Sequence, residues 1–283
     1  MKTLETDYAL TTLCTAFAVS RSGYYRWRAG KASRRIEEDG RLKAGIQQLH
    51  ADSRGTYGRP RLLAGLRRRG QPTSGRRVAR LMRELGLRGV RKGGYRPRTT
   101  DSRHQLARWP NRLRELSTPP QLPDQVWVSD MTYVRTGEGW LYVAGVLDAC
   151  SRRLVGLAMS ARLDAALPHA ALRQALLRRG SKKRGLIAHS DQGVQYASLL
   201  YQKTLRRHGL IGSMSRKGHC TDNACMESFW ATLKTELLPG RAFATRKEAS
   251  LAIFEYVEVF YNRKRLHSAL GYQSPVDFEA NLN

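Results

Sequence analysis

The sequence predicts an α/β fold: a mixed five-stranded sheet flanked by helices, preceded by an all-α region of helix-turn-helix type. Two observations carry this. From Val126 onward, apolar runs read as strands, three in succession and then alternating with helical segments, the order of a sheet with helices on its faces. Before residue 88, apolar residues recur instead at helical spacing between turn-forming clusters. A third observation bears on the partner. Of the net charge of +27, +19 falls within residues 1–120 (28 Lys and Arg against 9 Asp and Glu) and +8 within 121–283. Such a bias implies a polyanion, because each phosphate neutralised by Lys or Arg releases counterions.

Composition excludes several classes. At 41% hydrophobic residues the chain can build real cores and is not a disordered tail. No apolar run approaches 18 residues, which argues against a membrane protein. Met1–Ser20 lacks a basic start followed by an apolar core, so no signal peptide is expected. Cys14, Cys150, Cys220 and Cys225 show no CxxC spacing and no dense disulfide pattern, which fits a reducing cytoplasm. His219, Cys220 and Cys225 are close in sequence, but without the spacing of a zinc finger or ribbon.

The elements follow in order. Residues 8–29 read as two short helices, the second capped by Ser20. Such a pair is either a DNA reader or a packing hairpin. Residues 37–51 form a helix, and a helix of Leu62, Leu63 and Leu66 ends at Gly70–Thr73. Ser74 caps the next helix, whose inner face is Val78, Leu81, Met82 and Leu85 and which stops at Gly86. Arg76, Arg77, Arg80 and Arg83 ride largely on its other faces. A basic second helix suits the major groove, its neighbours gripping phosphates; the plain alternative is a solvated charged face. The Arg-, Pro- and Ser-rich stretch 88–120 reads as a linker. The chain thus divides into a helical DNA-binding region (1–87), a basic linker (88–120) and an α/β domain with a helical extension (121–283).

In that last part, 126–134, 140–149 and 152–160 are strands, 164–179 a helix, 186–191 a strand, 194–209 a helix, 210–215 a strand and 222–237 a helix. A final helix spans roughly 245–261. Three acids stand in apolar settings: Asp130 inside the first strand, Asp191 at the end of the fourth, and Glu227 in the first turns of a helix with Phe229, Trp230 and Leu233. Ionised carboxylates there are costly unless paired or bound to metal. Oxygen ligands suit Mg²⁺. The plain alternatives are an arginine partner for Asp130, a turn for Asp191 and a helix surface for Glu227. Asp148 is read as fixing local structure. Arg263, Lys264, Arg265 and His267 either bind DNA or cover the domain's flank.

The stretches VSRSGYYRW (19–27), GTYGRPRL (55–62), VWVSDMTYV (126–134), GWLYVAGVLDACSRRLVG (139–156), HSDQGVQYAS (189–198), SMSRKGHCTDNACMESFWATLK (213–234) and FYNRKRLHSALGYQSPVDFE (260–279) resemble the downstream reading-frame product of bacterial insertion-sequence transposases. These are DDE enzymes of the retroviral-integrase superfamily. Between Asp191 and Glu227 lie 35 residues, the spacing of that family's acidic triad. The resemblance implies a ribonuclease-H-like integrase core with Asp130, Asp191 and Glu227 as catalytic metal ligands for two Mg²⁺ or Mn²⁺ ions. It implies Lys234, seven residues beyond the glutamate and about 10.5 Å further along the helix, as a DNA contact. Asn223 and His189 lie in matching motifs as supporting groups, with a helix cap and a packed strand residue as their plain readings. The implied activity is cleavage of double-stranded DNA at element ends and strand transfer, by a homo-oligomer and with an upstream-frame protein as a further partner. Two rivals remain: a non-catalytic DNA-binding regulator, and a structure-selective nuclease on the same fold.

Overall fold

The computed structural model describes residues 1–30, 34–90, 109–180, 185–215 and 223–282. Ten helices and five strands are described: α1 (Leu10–Ala16), α2 (Arg21–Arg28), α3 (Arg34–Asp52), α4 (Arg59–Arg68), α5 (Gly75–Glu84), β1 (Val126–Thr136), β2 (Gly139–Asp148), β3 (Leu154–Ser160), α6 (Ala166–Arg179), β4 (Ile187–Ser190), α7 (Leu199–Arg207), β5 (Ile211–Met214), α8 (Ala224–Leu237), α9 (Arg246–Glu255) and α10 (Pro275–Ala280). The sheet runs β3-β2-β1-β4-β5. The first three strands are antiparallel neighbours, while β4 lies parallel to β1 and β5 parallel to β4. This is the mixed five-stranded sheet the strand runs predict.

Alternation along β1 and β2 feeds two cores. Val126, Val128, Val134, Val143 and Leu147 face α8 and α9. Trp127, Ala144 and Val146 face α6 and α7. The first core is continuous with Ile46, Leu62, Leu66, Val78 and Leu81 of α3–α5. The helical region therefore shares its apolar interior with one face of the sheet. Polar bonds reinforce the junction: the Tyr57 hydroxyl accepts the Leu266 amide at 2.7 Å, and Arg61 donates to the Leu266 carbonyl at 2.9 Å.

Several expectations shift. The helix expected over 194–209 begins only at Leu199, because Ser198 caps it by accepting the Tyr201 amide. The final helix is α9 as far as Glu255 and then a π-helical turn over Tyr256–Tyr261. Ser274-Pro275 does not merely turn; it caps and starts α10. Of the expected linker, 91–108 lie outside the described residues. Its end is not a free tether: Trp109 packs on Gly212 of β5 and the Arg112 amide donates to Ser213 Oγ at 2.9 Å, covering that sheet edge. His219 and Cys220 also lie outside the described residues.

Candidate active site

β1 is the central strand, and Asp130 sits at its middle, paired with Gly145 of β2. On the other side Val128 pairs with His189 of β4. Extending that parallel register by two residues brings Asp191 alongside Asp130 on the same face. α8 crosses this face. A side-chain carbon at Gly145 would collide with Met226 and crowd Trp230, so the missing side chain opposite Asp130 lets the helix lie close.

Asp130 is half-buried and its carboxyl is ringed by protein. Burial and then the charge of Asp191 push its pKa up to about 8, with the charge of Glu227 adding to the rise and the Met131 amide holding it back. The Trp230 indole faces the same carboxyl without completing a hydrogen bond. Asp191 follows β4, half-buried, and its Oδ1 accepts the Gly193 amide at 2.9 Å. Glu227 is exposed, because Met226, Phe229, Trp230 and Leu233 take the inner side of α8. Neither Asp130 nor Glu227 forms an ion pair among the described residues, so the arginine partner considered for Asp130 is not there. Asp191 and Glu227 both act electrostatically on Asp130. Among the described residues, however, no three His, Cys, Asp or Glu side chains converge into a closed metal-holding group.

Lys234 lies two turns along α8. Burial lowers its pKa while the charge of Asp130 opposes this, and its Nζ stands 5.3 Å from the centroid of the Tyr133 ring. Asn223 is at the cap position of α8 but makes no cap hydrogen bond. Its Nδ2 instead donates to the Ser129 carbonyl at 3.3 Å, tying the start of the helix to the residue before Asp130. His189 is fully buried, with Nδ1 and Nε2 each 2.9 Å from the hydroxyls of Ser213 and Ser215. It braces β4 against β5. Asp148, also fully buried, accepts the Asp124, Cys150 and Ser151 amides and the Ser151 hydroxyl. It shapes the β2–β3 turn, as the sequence suggests.

Residues not singled out from sequence also belong here. Tyr196 is buried; burial, then the charges of Asp130 and Asp191, raise its hydroxyl well above the ordinary range. That hydroxyl, Asn223 Oδ1 and Trp230 Nε1 are buried with no hydrogen-bond partner among the described residues. Carboxylates beside orphaned polar atoms fit a hydrated divalent cation, which satisfies both. Behind α8, Glu236 binds Arg265 at 2.6 and 2.8 Å and accepts the Tyr256 hydroxyl at 2.8 Å. Burial opposes the Arg265 charge, yet the bonds to Glu236 hold its pKa above the usual guanidinium range. Arg265 and His267 are thus interior residues, while Arg263 and Lys264 are exposed.

On α5, Arg76 and Arg83 are exposed. Arg77 and Arg80 are not free: both bind Asp39 of α3, at 2.7 and 2.6 Å, with Glu38 and Glu84 as second partners.

Comparison with known proteins agrees with this architecture. Residues 120–220 and 227–282 match family models described as "Integrase core domain", and 37–95 match "HTH-like domain". The chain is 47% identical to an insertion element IS600 uncharacterized 31 kDa protein of Shigella sonnei over 94% of this chain and 97% of that protein. It is 40% identical to transposase InsF for insertion sequence IS3A of Escherichia coli (strain K12), over 97% of this chain and 95% of that protein. Among solved structures, the HTLV-2 integrase catalytic core domain in complex with magnesium is similar at 14% identity and a TM-score of 0.43, over 56% of this chain and 97% of that one. With an integrase core behind a helix-turn-helix-like region, and near-full-length identity to these relatives, the chain belongs to the insertion-sequence transposases and acts in DNA transposition.

Proposed function

We propose that the chain cuts element ends and joins them to new DNA by phosphoryl transfer at Asp130, Asp191 and Glu227. The observation that carries this is the Asp130 carboxyl. It is enclosed on the central strand, lacks an ion-pair partner among the described residues, and is burdened by the charges of two further acids. A protein does not keep such a group for stability. Two Mg²⁺ or Mn²⁺ ions held there would neutralise the acids, ready a water or 3′-hydroxyl for attack and ease departure of the leaving oxygen.

The protein's own groups supply the rest. Asp130 and Asp191 are fixed by strands, whereas Glu227 comes from a helix whose start Asn223 ties to Ser129. Lys234 brings a cation beside the acids, where a phosphate backbone lies during reaction. Arg76 and Arg83 of α5 contact DNA, while Arg77 and Arg80 align α5 on α3 through Asp39. Two ends must meet, so the working form is an oligomer on DNA, with an upstream-frame protein as a further component.

The test is a strand-transfer assay with element-end DNA and Mg²⁺ or Mn²⁺, comparing the protein with Asp191→Asn. Joined products from the first alone, with DNA binding retained by both, support the triad. Equal joining by both sinks it, and DNA binding without joining by either, even with the upstream protein present, favours a regulator.

A further inference from the structure

The first thirty residues lie outside all three matched regions, yet they form a defined pair of helices. α1 ends with Ala18 in the left-handed conformation and with the Val19 amide bonded back to the Cys14 carbonyl at 2.9 Å. Only Phe17–Ser20 separate it from α2, which Ser20 caps by accepting the Gly23 amide at 3.1 Å. Leu13, Cys14 and Tyr24 are the buried residues of the pair, and Arg28 is tied to Glu5 at 2.9 Å.

What α2 leaves outside is unusual for a packing hairpin. The helix holds three arginines and no acid. At 100° per residue, Ser22 and Arg26, one turn apart, stand opposite Tyr24, with Arg21 and Tyr25 on the neighbouring stripe. All four are exposed, and so is Trp27. A short helix, a four-residue turn and a second helix with a cationic outer face is the geometry that enters a major groove, where Arg reads guanine and hydroxyls reach bases or phosphates.

We infer that α1 and α2 form a second DNA-reading unit, separate from α4–α5, which places Ser22 and Arg26 against base edges and Arg21 and Tyr25 against the backbone. The inference rests on the DNA-joining reading above, but uses residues remote in sequence from the triad. It gives the chain two reading heads for one element end.

The experiment is a footprint and affinity measurement on the full chain, with duplex DNA carrying the end of the encoding element and a scrambled duplex of equal length. Ser22→Ala with Arg26→Ala removes one contiguous block of protection and weakens end binding ten- to a hundredfold, with a change under threefold on scrambled DNA. Arg26→Lys keeps the salt dependence but not the preference for the end sequence. Arg76→Ala with Arg83→Ala removes a different block. An unchanged footprint and affinity for the α2 variant would overturn the inference. So would a changed sedimentation behaviour with an unchanged footprint, which would make this face a contact between copies. Asp191→Asn keeps both blocks, so failure of the catalytic reading is seen only in joining.

Discussion

Asp130 is costly to the fold. With burial and two acids raising its pKa to about 8, an amide in its place relieves the folded protein. Asp130→Asn should raise stability in EDTA on the order of 1–2 kcal/mol, the size of a single stabilising substitution. It should also abolish strand transfer; thermal melts beside the joining assay check both. Lys234→Ala should weaken end binding and reduce the slope of log affinity against log salt by about 1, read by anisotropy titration. The three acids stand out in the sequence as candidates because carboxylates in apolar settings are conspicuous, and the fold brings the charges of Asp191 and Glu227 to bear on Asp130. Tyr196 and Trp230 do not stand out in the sequence. An aromatic in an apolar run reads as core, and only the fold reveals that its polar atom faces an acid without a bonding partner.

At the scale of elements, α8 matters most, since it carries Glu227 and Lys234 and rests on the strand opposite Asp130. Gly145→Ala puts a carbon into Met226 and against Trp230. It should cost about 1–3 kcal/mol, the usual penalty of overpacking, and lower joining more than DNA binding, as denaturant midpoints and paired assays would show. The strands were legible through their apolar runs and turn residues. The ends of helices were less so. A short apolar segment such as Val194–Ala197 fits a helix by composition, and only Ser198 accepting the Tyr201 amide decides where α7 starts. In the same way Arg77 and Arg80 look alike to Arg76 and Arg83 in sequence, because Asp39, some forty residues away, is their partner.

At the scale of the whole molecule, Arg265 and His267 make the closing segment an internal brace, with Arg263 and Lys264 on its exposed side. His267 is buried against Tyr261, with ring centroids 4.7 Å apart, and its pKa falls to about 3. Burial is the main cause, followed by the charge of Arg265, with Arg61 and Arg152 adding to it. Between pH 3 and 6.5 the unfolded chain therefore binds a proton that the folded one refuses. Stability is full above pH 6.5 and falls below it, by about 1.4 kcal/mol per pH unit from this group. His267→Gln should flatten that part of a pH–stability curve measured by urea unfolding. Tyr57→Phe strands the buried Leu266 amide and should cost about 1–3 kcal/mol. The shared core of α3–α5 with α8 and α9 has a consequence for exchange between relatives. Helices α3–α5 are not a detachable cartridge: a chimera that swaps residues 34–90 alone inherits a mismatched seam. Grafts that carry the Tyr57 and Arg61 side together with its Leu266 socket should keep both halves soluble and active.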